Sequence, residues 1–297
     1  MGFVQNLQKN ISKNNSLLCV GLDADKAKLP QSVLQLPLPQ FAFNKAIIDA
    51  TLQYVSCYKP NSAFYESCGK EGLESLEKTI EYLHQKDVPV VLDVKRGDIG
   101  NTAQQFAISA YDELGADSVT LNPYMGLDAI EPFLNYRDKY SFVLVKTSNS
   151  TSGDFQDLYV TSLPSISPVL GVFRAGEQEN VYGVAVTTPS PLYMHVARKV
   201  LQWNELYNNC GMVVGATYPE QLAEIRALSE QSWILVPGIG KQGGDLEKTL
   251  KAGLNKDKEG LILVSAREII FASSGGDFAE KAGEKAKETR DAINLYR

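Results

Sequence analysis

Short runs of apolar and often β-branched residues alternate along the chain with longer stretches in which apolar positions recur at helical spacing. The apolar runs predict eight strands, at residues 16–22, 55–59, 88–95, 118–121, 142–146, 212–214, 233–236 and 261–264. The stretches between and after them predict helices at residues 41–54, 73–85, 103–114, 127–136, 192–207, 220–228, 246–252 and 278–296. Eight strands, each followed by a helix, are typical of a (β/α)8 TIM barrel, whereas a doubly wound sheet uses fewer strands. We therefore expect an α/β fold with one barrel domain over residues 1–297.

Residues 151–191 do not fit this alternation, because prolines and glycines are frequent there and the periodicity is weak. A structureless connection of that length is unusual in a compact domain. We expect either a lid or a peripheral insertion, at about residues 159–191, between the fifth and sixth strands. No second hydrophobic core can be delimited in the sequence.

The chain has 29 basic and 35 acidic residues, a net charge of −6 and a pI of about 5.2. It shows no basic stripe, so we expect no nucleic-acid partner. No segment reads as a signal peptide or as a ~20-residue apolar span, so we expect no membrane association and a cytoplasmic protein. The two histidines, His84 and His195, lie far apart, and the four cysteines show no CxxC spacing. No metal site is therefore predicted, and the cysteines are expected to be mostly buried free thiols.

Candidate chemistry is concentrated in residues 92–102, Leu-Asp-Val-Lys-Arg-Gly-Asp-Ile-Gly-Asn-Thr. Asp93 and Lys95 are two positions apart at the end of a predicted strand, so both should point to the same face. Asp98 follows where Gly97 breaks the extended pattern. Catalytic groups of a barrel collect at the carboxyl ends of its strands. Burying such charges costs several kcal/mol, so the cluster indicates a function.

Other predicted strands end in polar residues too. A single charged residue at a strand end is more often solvated or paired on the surface, and Asp23 could simply cap a turn. Alternating charges on neighbouring strands two and three favour a catalytic site instead. The candidates are Asp23, Lys59, Asn61, the segment Lys146-Thr147-Ser148-Asn149, and Ser265-Ala266-Arg267.

The glycine-rich run at residues 237–245 contains the spacing GxGxxG. A dinucleotide-binding site needs that run to open a βαβ unit, and only one predicted strand follows it here. We favour a phosphate-binding site made by the loops after strands seven and eight. In that site Arg267 supplies the charge and Gln242 closes over the ligand. No GxxxxGK[ST] loop or GxSxG elbow is present in the sequence.

Six segments in order along the chain closely resemble the orotidine 5′-phosphate decarboxylase family, in its longer bacterial and protozoan branch. They are Val20-Gly-Leu-Asp23, Lys59-Pro-Asn61-Ser-Ala-Phe, Asp93-Val-Lys95-Arg-Gly-Asp98-Ile-Gly-Asn-Thr102, Val145-Lys-Thr-Ser-Asn149, Val214-Gly-Ala-Thr-Tyr-Pro219 and Val236-Pro-Gly-Ile-Gly-Lys-Gln-Gly-Gly-Asp245. The resemblance covers nearly the whole chain except about 159–191.

The resemblance implies a homodimer of barrels that converts orotidine 5′-phosphate to UMP and CO2, the last step of de novo pyrimidine synthesis, without a cofactor. By position, Lys95 resembles the proton donor to C6 and Asp93 the acid beside the substrate carboxylate. Lys59 resembles the residue that bridges this network and the ribose. Asp98 and Thr102 resemble residues that reach into the neighbouring subunit's site.

The remaining implied substrate contacts fall on other strand ends and loops. Asp23 and Asn61 resemble ribose ligands, and either Thr147 or Ser148 resembles the pyrimidine contact. Ala266 stands where glycine or another small residue is common, a mild departure from the family pattern. The further implied contacts are Ile99, Pro237, Gln242 and Arg267, the last two to phosphate.

The chemistry is consistent with these roles. Loss of CO2 leaves a carbanion in the ring plane, which an enzyme without a cofactor must stabilise electrostatically. Repulsion between Asp93 and the substrate carboxylate supplies roughly 4 kcal/mol at ~4 Å and an effective dielectric of about 20. Enzymes supply ~8–23 kcal/mol, so charge stabilisation by Lys95 must be the larger effect.

Two alternatives stay open at this point. One is an Mg²⁺-dependent sugar-phosphate decarboxylase or epimerase of the same barrel superfamily, which needs an additional metal-binding acid. The other is a non-catalytic UMP-binding regulator, which predicts loss of Asp93, Lys95 or Asp98, and all three are present.

Overall fold

Eight parallel strands form the centre of the structure, a computed structural model that describes residues 2–161, 189–240 and 244–297. In chain order they are β1 (Leu18–Gly21), β2 (Cys57–Lys59), β3 (Val91–Arg96), β4 (Ser118–Leu121), β5 (Tyr140–Lys146), β6 (Cys210–Val214), β7 (Ile234–Pro237) and β8 (Leu261–Ser265). Each strand pairs in parallel with its neighbours in the order β2-β1-β8-β7-β6-β5-β4-β3. Two parallel bridges, Tyr58 to Val90 and Asn61 to Asp93, join β2 to β3 and close the ring. The predicted (β/α)8 barrel is confirmed.

Helices cover the outside of the barrel and connect its strands. The α-helices are Phe3–Asn14, Gln31–Leu34, Pro39–Thr51, Ala63–Glu66, Gly69–Gln85, Gly100–Ile108, Glu131–Leu134, Gly153–Gln156, Leu192–Tyr207, Pro219–Leu228, Leu246–Gly253, Arg267–Ile270 and Phe278–Asn294. Short 3-10 turns lie at Lys26–Lys28, Leu52–Tyr54 and Leu127–Ala129, and Ser109–Glu113 is a π-helical turn. No helix among the described residues is long and apolar enough to cross a membrane.

The N-terminal helix Phe3–Asn14 was not predicted. Its buried residues Phe3, Leu7 and Ile11 recur every four positions, so they form one face of the helix. Phe3 stacks on Tyr140 at the start of β5, with ring centroids 5.4 Å apart. The helix therefore packs on the amino-terminal end of the barrel, away from the candidate residues at the strand ends.

Several predicted boundaries were wrong. The helix predicted at residues 127–136 is a 3-10 turn followed by the single turn Glu131–Leu134, whose second residue, Pro132, has no N–H to donate. The helix predicted at 103–114 begins earlier, at Gly100, and ends in a π-helical turn. β5 and β6 each begin two residues before the predicted position, at Tyr140 and Cys210, because Ser141 and Gly211 interrupt the apolar runs from which the strands were predicted.

The predicted insertion begins and ends at a small pair of antiparallel segments. Tyr159–Val160 pairs with Ser190–Pro191, and the N–H of Leu192 donates to the carbonyl of Leu158 at 2.8 Å. Residues 162–188 lie outside the described residues. The role of the insertion, and its bounds at about 159–191, therefore stay predictions.

One buried guanidinium group donates hydrogen bonds to the backbone at the starts of two strands. Arg226 in the helix Pro219–Leu228 is buried and donates to the carbonyls of Ser232, Gly253 and Gly260. Burial lowers the pKa of this arginine to about 10. Ser232 and Gly260 precede β7 and β8, so Arg226 satisfies backbone groups at the end of the barrel that carries no candidate chemistry.

Candidate active site

The carboxyl ends of the strands surround a cavity of about 490 Å³. Nine predicted site residues line it: Asp23, Lys59, Asn61, Asp93, Lys95, Thr147, Ser148, Pro237 and Arg267. Its walls also include apolar side chains from the barrel interior: Leu144, Val213, Leu235 and Val264. This volume is typical of small-molecule sites, which range over ~300–1,000 Å³. The cavity is therefore the candidate active site.

Asp93 is the centre of the charged network. Its Oδ2 atom lies 2.6 Å from Nζ of Lys59, and its Oδ1 atom lies 2.6 Å from Nζ of Lys95. The hydroxyl of Thr120 donates to Oδ1 at 2.8 Å. Burial alone would raise the pKa of Asp93, but Lys59 and Lys95 hold it well below its usual range. Asp93 is therefore a carboxylate in a buried position.

Lys59 ends β2 and is almost completely buried. Burial would lower its pKa, but the charges of Asp93 and Asp23 raise the pKa above its ordinary value. The carbonyl of Lys59 accepts from the N–H of Leu22, which fixes the end of β2 against β1. A buried ammonium is thus held between two acids on neighbouring strands.

Lys95 lies in a bulge of β3. Leu92 pairs with Val119 and Arg96 pairs with Leu121, so three residues of β3 stand opposite Thr120 alone. Lys95 has φ +45°, in the left-handed region that side chains rarely adopt. Lys95 contacts Asp93, so the two side chains project together as predicted. The bulge of β3 produces this contact, whereas the prediction assumed a regular strand. Half of the Lys95 side chain is exposed to the cavity.

Asp98, Ile99 and Thr102 are not among the residues that line the cavity. Asp98 accepts the N–H of Ile99 at 2.8 Å, and no ion pair joins it to Lys95 in the described chain. A single chain therefore brings Asp93 and Lys95 together but not Asp98. Ile99 is 55% exposed, on the loop after β3.

The loop after β4 extends this exposed apolar surface. Tyr124 is 86% exposed and Met125 is 54% exposed. The N–H of Asn122 donates to the carbonyl of Arg96 at 2.8 Å, so the loops after β3 and β4 lie side by side. Exposed large apolar side chains grouped on adjacent loops are typical of a protein interface.

Asp23, which follows β1, carries an acceptor without a partner. Its Oδ1 atom is buried and receives no hydrogen bond from the described residues. Burial raises the pKa of Asp23, against the opposing effect of Lys59. The suggested turn cap belongs to Asp25 instead, whose carboxylate accepts the N–H of Ala27 at 3.1 Å. Asp23 is therefore free to accept a hydroxyl group from a ligand.

Thr147 and Ser148, the two candidates for the pyrimidine contact, differ in their hydrogen bonds within the loop after β5. The N–H of Thr147 donates to Oε1 of Gln156 at 2.9 Å, and its hydroxyl accepts from Nε2 of Gln156 at 2.8 Å and donates to Asn149. The hydroxyl of Ser148 makes no such bond within the described residues and faces the same cavity. Gln156 was not predicted to be a site residue.

The same loop is anchored by a fully buried lysine. Nζ of Lys146 lies 2.7 Å from Oδ1 of Asp157 and 3.2 Å from the hydroxyl of Ser152, and 4.4 Å from the ring centroid of Tyr218. The sequence placed Lys146 at a strand end, where it could have faced the cavity. It instead points into the loop and holds residues 147–157 in position.

The opposite wall of the cavity is formed by the ends of β7 and β8. Pro237 and Gly238 line it, and exposed Arg267 begins the turn Arg267–Ile270. The methyl group of Ala266 lies against Gly21, where an added Cβ would approach it to 2.6 Å. Alanine therefore fits at residue 266 because residue 21 has no side chain. Gln242 lies outside the described residues, so its predicted contact stays a prediction.

Thr120, Gln156 and Glu268 are the polar residues of the described cavity lining that the sequence did not single out. Thr120 interrupts the apolar strand Ser118–Leu121 with a hydroxyl, which is a weak signal for a site residue. Within residues 2–161, 189–240 and 244–297, no group of three or more His, Cys, Asp and Glu is arranged to hold a metal ion.

The fold and the site together define a (β/α)8-barrel protein with a lysine–aspartate–lysine network at the mouth of a small-molecule cavity. Residues 16–282 match the model of the "Orotidine 5'-phosphate decarboxylase / HUMPS family". The chain belongs to this family.

Individual relatives agree with the family match. The chain is 43% identical to an orotidine 5′-phosphate decarboxylase of Cellvibrio japonicus over the full length of both proteins. It is 44% identical to one of Christiangramia forsetii, over 95% of this chain and 94% of the relative. The structure of Leishmania donovani OMP decarboxylase has a TM-score of 0.78 and 36% identity, over 100% of this chain and 98% of that one.

Proposed function

We propose that this chain catalyses the decarboxylation of orotidine 5′-phosphate to UMP and CO2, the last step of de novo pyrimidine synthesis. The observation that carries the proposal is the contact of Asp93 with both Lys59 and Lys95 at the mouth of the cavity. The relatives named orotidine 5′-phosphate decarboxylase align with the whole chain and support it. We also propose that the protein, as a biosynthetic enzyme, acts in the cytoplasm.

The reacting carbon would lie beside Lys95. Cleavage of the bond between C6 and the carboxylate carbon leaves both electrons on C6, and the ammonium of Lys95 stabilises this charge and then donates its proton to C6. Asp93 keeps Lys95 charged and directed, and it lies close to the leaving carboxylate. Because these groups are fixed before the substrate arrives, little reorganisation is needed at the transition state.

The rest of the nucleotide would extend across the cavity. The unpartnered Oδ1 of Asp23 accepts a ribose hydroxyl, with Asn61 and Lys59 beside it. Arg267 binds the phosphate at the ends of β7 and β8, where Gln242 is the second expected ligand and Pro237 borders the ring. Binding energy at the phosphate, far from C6, helps to hold the substrate against the charged network.

Ser148 is our candidate for the pyrimidine contact. The hydroxyl and N–H of Thr147 are both used by Gln156 and Asn149, which leaves Ser148 as the free hydroxyl beside the cavity. Thr147 and Gln156 then fix the loop from which Ser148 reaches the ring. The sequence left both residues possible, and the bonds that Thr147 already makes support Ser148 as the pyrimidine contact.

We also propose a homodimer with shared active sites. Asp98 does not contact Lys95 within the chain, and Ile99 beside it is exposed together with Tyr124 and Met125. If this surface packs against a second copy, Asp98, Ile99 and Thr102 reach the partner's cavity. Each complete site would then combine Lys59, Asp93 and Lys95 of one subunit with Asp98 of the other.

The alternatives give different results in one assay. Purified protein is incubated with orotidine 5′-phosphate and EDTA, and conversion to UMP is followed by its ultraviolet absorbance. We expect conversion in the presence of EDTA, no conversion with Lys95→Ala, and largely retained UMP binding in that variant. Lys251→Ala, which alters an exposed lysine of a helix, is the matched control and should react as the wild type does.

Three results would contradict the proposal. Activity that EDTA removes and Mg²⁺ restores would favour the metal-dependent sugar-phosphate enzyme. UMP binding without any turnover would favour the regulator. Full activity of Lys95→Ala would show that the proton comes from another group.

A further inference from the structure

The hydroxyl of Thr120 joins three groups of the charged network. Thr120 is buried in the middle of β4. Its Oγ1 atom donates to Oδ1 of Asp93 at 2.8 Å. The same atom accepts the N–H of Val94 at 3.1 Å and the N–H of Lys95 at 3.0 Å. A threonine hydroxyl has one donor and two acceptor positions, so all three are used.

These bonds replace the hydrogen bonds that the bulge of β3 removes. Residues 93–95 of β3 stand opposite Thr120 alone, so the strand ladder offers too few carbonyls for their N–H groups. N–H groups without partners are costly where water is excluded, and Thr120 accepts two that are partly buried. A valine of the same shape would fill the space but leave both N–H groups and one carboxylate oxygen with fewer partners.

The hydroxyl also stabilises an unfavourable backbone conformation. Lys95 has φ +45°, which is disfavoured for a residue with a side chain. The bond from its N–H to Thr120 holds that conformation, in which Nζ of Lys95 meets Asp93. Both ends of the Asp93–Lys95 pair are thus fixed by one oxygen atom on the neighbouring strand.

We propose that Thr120 is a positioning residue of the decarboxylation, acting through its hydroxyl on the Asp93 carboxylate and on the Lys95 backbone. This role rests on the proposed function. It requires no contact of the hydroxyl with the substrate. Without it, Lys95 no longer stays at the reacting carbon, so the chemical step slows while the binding of the phosphate and ribose persists.

Three variants test the role. Thr120→Val removes the hydroxyl and should lower kcat about ten- to a hundredfold, the loss typical of a hydrogen bond to a charged group, with KM changed by less than about threefold. Thr120→Ser keeps the hydroxyl and should recover kcat to within about threefold of wild type. Ser118→Ala is the control: its buried hydroxyl, two residues earlier on β4, has no partner among the described residues, and its removal should leave kcat unchanged.

Two kinetic results would overturn the proposal. A Thr120→Val enzyme with kcat within about twofold of wild type would show that the hydroxyl is dispensable. A Thr120→Ser enzyme as slow as Thr120→Val would show that the methyl group, not the hydroxyl, matters. A wild-type protein that does not decarboxylate orotidine 5′-phosphate would instead refute the proposed function.

A measurement on the wild-type protein decides the question if Thr120→Val does not fold, and it needs no activity. Amide hydrogen exchange is recorded for Val94 and Lys95. Slow exchange, comparable with that of the β4 backbone amides, supports the bonds to Thr120. Exchange as fast as that of the amide of exposed Met125, which donates no hydrogen bond within the described residues, would overturn the proposal.

Discussion

Nζ of Lys59 lies 2.6 Å from Oδ2 of Asp93, and only 6% and 8% of these two side chains are exposed. Because a buried charge that loses its partner is strongly unfavourable, Asp93→Asn should lower the free energy of unfolding by about 3 kcal/mol. Urea unfolding at pH 7 measures this difference. Glu284→Gln is the matched control, since its pair with Lys281 is exposed and should contribute less than about 1 kcal/mol.

The stabilisation by Asp93 should depend on pH in one direction. Its pKa is depressed in the folded protein, so the contribution is present above the unfolded pKa of about 3.9 and is lost as pH falls towards the folded pKa. The difference between wild type and Asp93→Asn should therefore shrink below about pH 4. A difference that stays constant down to pH 2, or grows, would contradict the ion pairing.

The contribution of Asp23 to stability should depend on pH in the opposite direction to that of Asp93. Burial raises its pKa in the folded protein, so its contribution to stability is present below the unfolded pKa and is lost as pH rises through the folded pKa. Asp23→Asn should therefore raise the melting temperature at pH 7, while it weakens UMP binding because an amide oxygen accepts the ribose hydroxyl less strongly than a carboxylate oxygen does. The measurements are thermal unfolding and calorimetric titration with UMP.

Asp25→Asn is the control for Asp23. The bond from Lys28 lowers the pKa of Asp25, although burial opposes it slightly, so its ionised form stabilises the folded protein. Its substitution should lower the melting temperature at pH 7 and leave UMP binding unchanged. If Asp23→Asn also lowered the melting temperature, the Asp23 carboxylate would have a stabilising partner in the ligand-free protein, which would contradict this prediction.

The pyrimidine contact can be assigned by comparing two ligands. Ser148→Ala should weaken UMP binding about two- to tenfold, the loss expected for one neutral hydrogen bond, and leave ribose 5-phosphate binding unchanged. Thr147→Val removes a hydroxyl that Gln156 and Asn149 already occupy, so its effect on UMP should be smaller. The reverse order of effects would assign the contact to Thr147.

The barrel and the main charged residues could be predicted because they depend on local patterns. Each strand is a short apolar run, and a charged residue near the carboxyl end of such a run is expected at the mouth of a barrel. This placed Asp23, Lys59 and Asp93 correctly. The helix Phe3–Asn14 has the same kind of pattern and could have been found from its apolar spacing.

The supporting contacts could not be predicted, because they depend on the register between strands and on loop conformation. Thr120 meets Asp93 only because β3 is bulged relative to β4, and no local sequence pattern reports that shift. Lys146 follows the same rule as Lys59 but points into its own loop, where Asp157 and Tyr218 enclose it. Nothing in the sequence separates the two lysines without knowledge of those partners.

Phosphate recognition should depend on Arg267. Arg267→Met removes the positive charge at the ends of β7 and β8 and should weaken UMP binding about ten- to a hundredfold, as expected for loss of a charge-assisted hydrogen bond. Uridine lacks the phosphate, so its weaker binding should be unaffected. Lys251→Met, on an exposed helix, controls for the loss of one charge. Equal losses for UMP and uridine would contradict a phosphate contact.

Shared active sites can be tested with mixed subunits of two inactive variants. In a dimer of one Lys95→Ala and one Asp98→Ala subunit, the site in the second subunit has its own Lys95 and receives Asp98 from the first, so one site of two is complete. Half of the dimers in an equal random mixture are mixed, and the mixture should therefore reach about a quarter of wild-type activity. A mixture of Lys95→Ala with Asp93→Ala should stay inactive, because Asp93 and Lys95 belong to the same chain's site. No recovery in the first mixture after refolding together would show that Asp98 does not act across the dimer. Recovery in the control would show that Asp93 and Lys95 of one chain do not serve the same site.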